Sequence, residues 1–179
     1  MCIRDRDKTG VVPQKSVLFK GTLRDNMRWG KQDASDEEIY RALDTAQARE
    51  FVDSKGEGLD LYIDQGGHNL SGGQRQRLTI ARALVRRPEI LIMDDSASAL
   101  DFATDARLRK AIRENTGDMT VFIVSQRATT IKSADTILVL DEGRLAGMGT
   151  HKELLKDCQV YREICLSQLS KEEVERDEQ

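Results

Sequence analysis

Apolar residues recur along this chain in two rhythms, and the change between them falls near Pro88. Before it, from about Leu18 to Arg87, the spacing is helical. Ser35-Asp36-Glu37-Glu38 opens one helix, with Ser35 as N-cap and Glu38 in the capping-box position. Ile39, Ala42, Leu43 and Ala46 then form its buried stripe. A second helix is predicted from Ser71, whose hydroxyl can cap the first-turn amides, to about Arg86, with Pro88 as the stop. Upstream, Val11-Val12-Pro13 reads as a short strand leaving a core.

After Pro88 the runs become short, continuous and β-branched: Ile90 to Met93, Val121 to Val124, and Ile137 to Leu140. Such runs predict strands buried on both faces of a parallel sheet. A helix over Phe102 to Asn115 separates the first two, which makes βαβ the natural unit. Asp141-Glu142-Gly143-Arg144 predicts a tight turn into a last strand, Leu145 to Met148. Helices near Lys152–Lys156 and Val160–Leu169 close the domain, and the charge-dense stretch 170–179 is expected to be a frayed tail. The architecture is α/β: a parallel sheet core at 88–169 and a helical segment at 18–87.

Composition narrows the class. The 179 residues suffice for one domain with a buried core. Charged residues are 33% and nearly balanced at a net charge of −3, which argues against a basic nucleic-acid-binding surface. No apolar run approaches the ~18 residues of a membrane helix, and the charged start Met1-Cys2-Ile3-Arg4-Asp5-Arg6-Asp7 has no apolar signal core. Cys2, Cys158 and Cys165 have no metal-ligand spacing and read as reduced thiols. A soluble domain in the cytosol is expected.

Two places carry chemistry. Leu70-Ser71-Gly72-Gly73-Gln74 precedes an apolar helix, so Gly72 and Gly73 expose amides at a helix N-terminus, where the macrodipole attracts anions. A capped helix start needs no ligand, and alone this run would mean little. The second place alters the weighting. Ile90-Leu91-Ile92-Met93-Asp94-Asp95 is an apolar strand ending in two acids, at the strand end where α/β sheets bind ligands, and Asp94 there suits Mg²⁺ held with nucleotide phosphates. Ser98-Ala99-Leu100-Asp101 adds a turn and a further acid.

Together these strings resemble the ABC ATPase family, a P-loop NTPase-like fold, over about Gly10 to Leu169. Leu70 to Gln74 resembles its signature sequence, Ile90 to Asp94 its Walker B strand, Ser98 to Asp101 its D-loop and Pro13-Gln14 its Q-loop. Ile123-Val124-Ser125-Gln126-Arg127 resembles its switch loop, and Val17 to Asn26 and Gly147 to Leu154 resemble exporters of the multidrug type. The resemblance implies that ATP and Mg²⁺ are sandwiched between this domain and a second nucleotide-binding domain, each site completed by the other domain's signature. It assigns Ser71, Gly72, Gly73, Gln74 and Asp101 to nucleotide binding, Asp94 and Gln14 to the metal, and Asp95 and Gln126 to catalysis. It also implies a transmembrane domain as partner, reached through the helical insert, and a parent protein at the cytoplasmic face of the plasma membrane. The segment Asp64-Gln65-Gly66-Gly67, with Gln65 where the family often has glutamate, stands where relatives contact that domain's coupling elements.

Three departures qualify this. No G-x-x-x-x-G-K-[ST] string occurs; Gly30-Lys31 is the sole Gly-Lys pair and Gln32 follows it. The P-loop portion is thus expected to be missing, with residues 1–9 not matching the family, and the chain alone is expected to bind ATP poorly. Asp95 stands where the family's general base is glutamate, one methylene longer. Gln126 replaces the switch histidine and can donate a hydrogen bond but carry no charge. These changes, set beside an intact signature, resemble the degenerate-site subunit of a heterodimeric exporter. A regulatory nucleotide-binding module without turnover and a non-transport ABC ATPase are the alternatives. His68 is expected to face solvent, His151 to be structural, and Trp29 to be a packing residue.

Overall fold

The computed structural model describes residues 8–95 and 99–178. Cys2 and Ser98 lie outside them. The chain divides into two compact units, one ending at Val124 and the other beginning at Ser125.

Along the first unit run β1 (Thr9–Val12), β2 (Gly21–Thr22), α1 (Leu23–Arg28), α2 (Asp36–Thr45), α3 (Arg49–Ser54), β3 (Tyr62–Ile63), α4 (Gly72–Leu84), β4 (Ile90–Asp94), α5 (Phe102–Asn115) and β5 (Thr120–Val124). The main sheet is parallel, in the order β1-β4-β5. Val12 lies opposite Met93, and Asp94 lies opposite Val124, so the C-terminal ends of all three strands share one edge. One apolar core runs from Val12 through Leu78, Ile80 and Leu91 to Leu108 and Ile112, so the helices and the sheet are packed together. The helix starts obey local chemistry. Thr22 with Asp25 and Ser35 with Glu38 each form a complete capping box, and Ile39, Ala42, Leu43 and Ala46 are all buried.

Several expectations need correction. The segment 18–87 is not wholly helical: β2 and β3 form an antiparallel pair, Gly21 with Ile63 and Thr22 with Tyr62. α4 ends at Leu84 with Val85 as C-cap, short of Arg86, and Arg87 turns the chain in the left-handed region at φ 50°. The sheet is not buried on both faces. Val12, Leu91 and Met93 point into the core, whereas Val11, Phe122 and Val124 on the opposite face stay more than half exposed (56%, 53% and 56%). An apolar run marks a strand but cannot state whether a second layer covers it. Trp29 is no packing residue in the sense expected: it is 70% exposed, and among the described residues its ring meets that of Phe19, tilted by 33° with centroids 4.8 Å apart. Beside it Gly30 has a structural reason, because a Cβ there would collide with the carbonyl oxygen of Arg82 on α4.

The second unit holds α6 (Ala128–Ile131), β6 (Ile137–Asp141), β7 (Arg144–Gly149), α7 (His151–Asp157), α8 (Gln159–Gln168) and α9 (Lys171–Glu178). β6 pairs with β7 in an antiparallel hairpin, so the third apolar run does not enter the parallel sheet among the described residues. Its alternation explains why: Ile137 and Val139 are buried while Leu138 and Leu140 face outward. The turn is as tight as expected, with positive φ at Glu142 (45°) and Gly143 (76°). Gly147 lets α7 close on the hairpin, since a Cβ there would stand 2.8 Å from the Cys158 sulfur. Cys158 and Cys165 are free and buried.

The tail is not frayed. Ser170 and Glu173 form a reciprocal cap, Ser170 Oγ accepting from the Glu173 amide at 3.2 Å and Glu173 Oε2 accepting from the Ser170 amide at 3.0 Å. The helix they start, α9, buries Val174 to 1% exposure. Asp177 meets His151 Nε2 and Lys132 Nζ, each at 3.3 Å, and Glu178 meets Arg162 at 3.2 Å. A single valine in a run of charges gave the composition no apolar weight, yet it is the residue that docks. His151 is structural as expected, buried, with Nδ1 2.8 Å from the Tyr161 hydroxyl.

Replacing Val174 with Asp should therefore strip amide protection from 171–178 while leaving the hairpin protected. The buried valine contributes roughly 2 kcal/mol to local docking. Hydrogen exchange reads this directly, and unchanged protection would mean that the ion pairs alone hold α9.

Candidate functional site

The N-terminus of α4 is built by Ser71. Its Oγ accepts the Gln74 amide hydrogen at 3.2 Å, and Gln74 Oε1 accepts from the Ser71 amide at 3.0 Å, closing a capping box. The box consumes the Gln74 amide but leaves those of Gly72 and Gly73, which have no partner within a helix by geometry. Ser71 and Gly72 are exposed. Gly72 has open space where a Cβ would stand, its nearest neighbour being Ala99 at 3.8 Å, whereas a Cβ on Gly73 would press on the Ala99 carbonyl oxygen at 3.3 Å. The amide-rich turn thus meets Ala99 and Leu100, just ahead of Asp101.

Arg75 and Arg77 fix this turn from behind. Arg77 Nη1 donates to the Gln47 carbonyl at 2.6 Å and its guanidinium lies over the Phe51 ring at 5.0 Å. Burial pushes its pKa down, against the pull of Asp101 and Glu50. Gly67, at φ 71°, makes room for Arg75, whose Cδ would stand 2.8 Å from a Cβ there. His68 faces solvent, as expected.

The acids stand at the end of β4. Asp94 closes the strand and is exposed; Asp95 leaves it in the left-handed region at φ 42°, its amide donating to the Val124 carbonyl at 2.9 Å. Aspartate tolerates that backbone better than most residues because its short polar side chain can bond locally. The parallel register carries Gln14 to the same edge, where its Nε2 reaches Asp95 Oδ2 at 3.5 Å. With Nε2 turned to Asp95, the side-chain carbonyl oxygen of Gln14 is the atom left to meet a cation. Exposed carboxylate and amide oxygens are the hard donors that Mg²⁺ takes beside phosphates, so this set fits the ion.

Asp101 is placed differently from a free ligand. It is the N-cap of α5, its carboxylate accepting the Thr104 amide at 2.9 Å, and that bond, with the Thr104 hydroxyl, holds its pKa below the usual range. Gln126 belongs to the second unit and is exposed. Two residues escaped the sequence reading. Gln76 is buried at 3% on α4, and its Oε1 accepts from Ser16 Oγ, which ties the stretch after Gln14 to the helix that Ser71 starts. Gln168, on α8, bonds the loop that holds Gln126. Gln76 sits in the polar run Gln74-Arg75-Gln76-Arg77 and Gln168 is exposed, so neither gave a periodic signal.

Comparison with known proteins gives a consistent picture. The profile of the ABC transporter family matches residues 2–98. The ABC transporter ATP-binding protein YfiB of Bacillus subtilis is 47% identical over 167 residues, covering 93% of this chain and 29% of its own length. The probable multidrug resistance ABC transporter ATP-binding/permease protein YheI of the same organism is 46% identical over 160 residues, with 89% and 27% covered. Among solved structures, a bacterial Atm1-family ABC exporter with ATP bound superposes with a TM-score of 0.88 at 38% identity, covering 93% of this chain and 29% of that one. The chain spans less than a third of the length of these relatives. No described helix is long and apolar enough to cross a membrane.

The two caps make separable predictions for stability. Ser71→Ala should cost about 1 kcal/mol in denaturant unfolding, and Ser71→Asp, an equally good cap, should cost almost nothing. For Asp101 the sign follows from its lowered pKa. Its contribution is present above the ordinary aspartate range and is lost as pH falls through the folded value, so Asp101→Asn should flatten the acid limb of stability against pH. An acid limb identical to that of the unaltered protein would show that the cap is not populated.

Proposed function

The chain belongs to the ABC transporter family, and from that membership we propose that it is the signature-bearing part of an exporter's ATP-binding subunit. Its parent couples ATP binding and hydrolysis at a dimer interface to export of a small or drug-like molecule. The partners are a second, non-identical nucleotide-binding domain and the exporter's transmembrane domain. The parent works at the cytoplasmic face of the plasma membrane, and the 179 residues alone bind ATP poorly because they encode no P-loop.

The observation that carries this reading is the exposed, Ser71-capped turn with the Gly72 and Gly73 amides unspent. Those amides and the Ser71 hydroxyl hydrogen suit the terminal phosphate of a nucleotide seated on the partner, where the helix dipole adds to the attraction. Mg²⁺, when bound with ATP, neutralises phosphate charge as it develops on the leaving and transferred groups. On this chain's own side Asp94 and the Gln14 carbonyl oxygen would hold the ion. By their places in the family's motifs, Asp95 is assigned to the attacking water and Gln126 to the γ-phosphate. Each suits its place weakly. An aspartate carboxylate falls short of the glutamate position, and a misplacement of roughly 1 Å can lower a rate by about 10²-fold. Its contact with Gln14 Nε2 also spends one oxygen lone pair on a donor other than water. Gln126 can donate to a phosphate oxygen but cannot carry a proton. The site in cis is therefore slow, and the signature serves the fast site in trans.

The same two residues support a second reading, a regulatory site that binds nucleotide without turning it over. Both are tested in the full-length subunit assembled with its partner. Ser71→Ala should lower steady-state ATPase activity at least tenfold, far beyond its stability cost; unchanged hydrolysis would remove the trans role. Asp95→Glu with Gln126→His should raise turnover at the slow site. A silent double substitution would show that other residues limit the rate.

A further inference from the structure

The loop that carries Gln126 leads straight into α6, whose start is not capped by its own N-cap side chain. Arg127, the N-cap of α6, makes no side-chain capping bond, so the first amide of that helix needs an acceptor from elsewhere. Gln168, at the C-terminal end of α8, supplies it. Its Oε1 accepts the Ala128 amide hydrogen at 3.0 Å, and its Nε2 donates to the Gln126 carbonyl at 2.7 Å. One side-chain amide thus satisfies a backbone donor and a backbone acceptor two residues apart, as a neighbouring strand would. The orientation of the amide is fixed by this pair, since the reverse flip would set two donors and two acceptors against each other. A third bond, the Arg127 amide to Ser125 Oγ at 3.0 Å, folds the loop on itself. Ala128 is fully buried, so an unmatched amide there would be costly.

We propose that Gln168 is a positioning residue for Gln126. It holds the backbone of residues 126–128 in the one conformation that aims the Gln126 side chain outward, and so makes the end of α8 part of the nucleotide-sensing apparatus. The inference rests on the reading of Gln126 as the group that meets the γ-phosphate. Its structural half does not. Asparagine in place of Gln168 is one methylene too short to reach both partners, alanine reaches neither, and glutamate keeps the acceptor for Ala128 but has nothing to donate to the Gln126 carbonyl.

Two measurements on the full-length subunit with its partner separate the possibilities. In hydrogen exchange, Gln168→Ala should speed exchange at Ala128 roughly five- to tenfold, the ratio set by one hydrogen bond's net worth, while Gln168→Glu leaves it near the starting rate. In competition binding of Mg·ATP and Mg·ADP at the slow site, Gln126→Ala should reduce the preference for ATP, and Gln168→Ala should reduce it in the same direction. The double variant should be no worse than Gln126→Ala alone, because both act through one group. Unchanged exchange at Ala128 in Gln168→Ala, or additive losses in the double variant, overturns the proposal. If Gln126→Ala itself leaves nucleotide preference unchanged, the γ-phosphate reading of Gln126 fails and the sensing role of Gln168 fails with it, while the exchange result still shows whether the strap exists.

Discussion

The parallel ladder between β1 and β4 is the constraint on which the first unit depends. Its register places Val12 opposite Met93, and two residues further along each chain Gln14 reaches Asp95. A slip of β1 by one residue would turn Val12 out of the core while Leu91 and Met93 stayed in it, and would carry the glutamine away from the acids. The strands are separated by some 80 positions of chain, so the intervening helices have to be folded and packed before the ladder gains its full support. Leu78 and Ile80 of α4 stand in the same core as Val12 and Leu91, which is how helix packing and strand register enforce one another.

From this frame each end of the site inherits its position. The acids sit at a strand terminus because parallel strands end on a common edge. The amide-rich turn sits at a helix start because Ser71 and Gln74 cap each other, and Gly73 lets the Ala99 carbonyl approach closely, since a Cβ there would press on it at 3.3 Å. Asp101 is held by a cap of its own, which gives it a structural duty whatever else it touches. Ser16 and Gln76 link these parts, tying the stretch after Gln14 to α4.

Much of this was legible in the residues. Ser35 with Glu38, the stripe from Ile39 to Ala46, the strand Ile90–Asp94 and the helix Phe102–Asn115 follow local rules that tertiary structure did not override. What stayed hidden depended on partners distant in sequence. Gly21–Thr22 and Tyr62–Ile63 are too short to show a period and exist only as each other's complement. Val174 counted for little among charges until α9 had a surface to meet. Leu138 and Leu140 belong to a continuous apolar run, and only pairing with β7 reveals which of its members face inward. Gln168 looks like an ordinary solvent-facing residue, because the significance of a side-chain amide lies in the backbone across from it.

The uncovered rows of the two sheets carry a cost for handling the molecule. Val11, Phe122 and Val124 make one apolar stripe, and Leu138, Leu140, Leu145 and Met148 make another, with Leu138 paired to Met148 and Leu140 to Leu145 across the hairpin. β5 is also the last strand of its sheet among the described residues, with one hydrogen-bonding side unmatched. Greasy stripes beside a bare strand edge are what drives like molecules to stack. Wherever these surfaces stay open, the polypeptide has two routes to self-association, one through the stripes and one through the edge of β5.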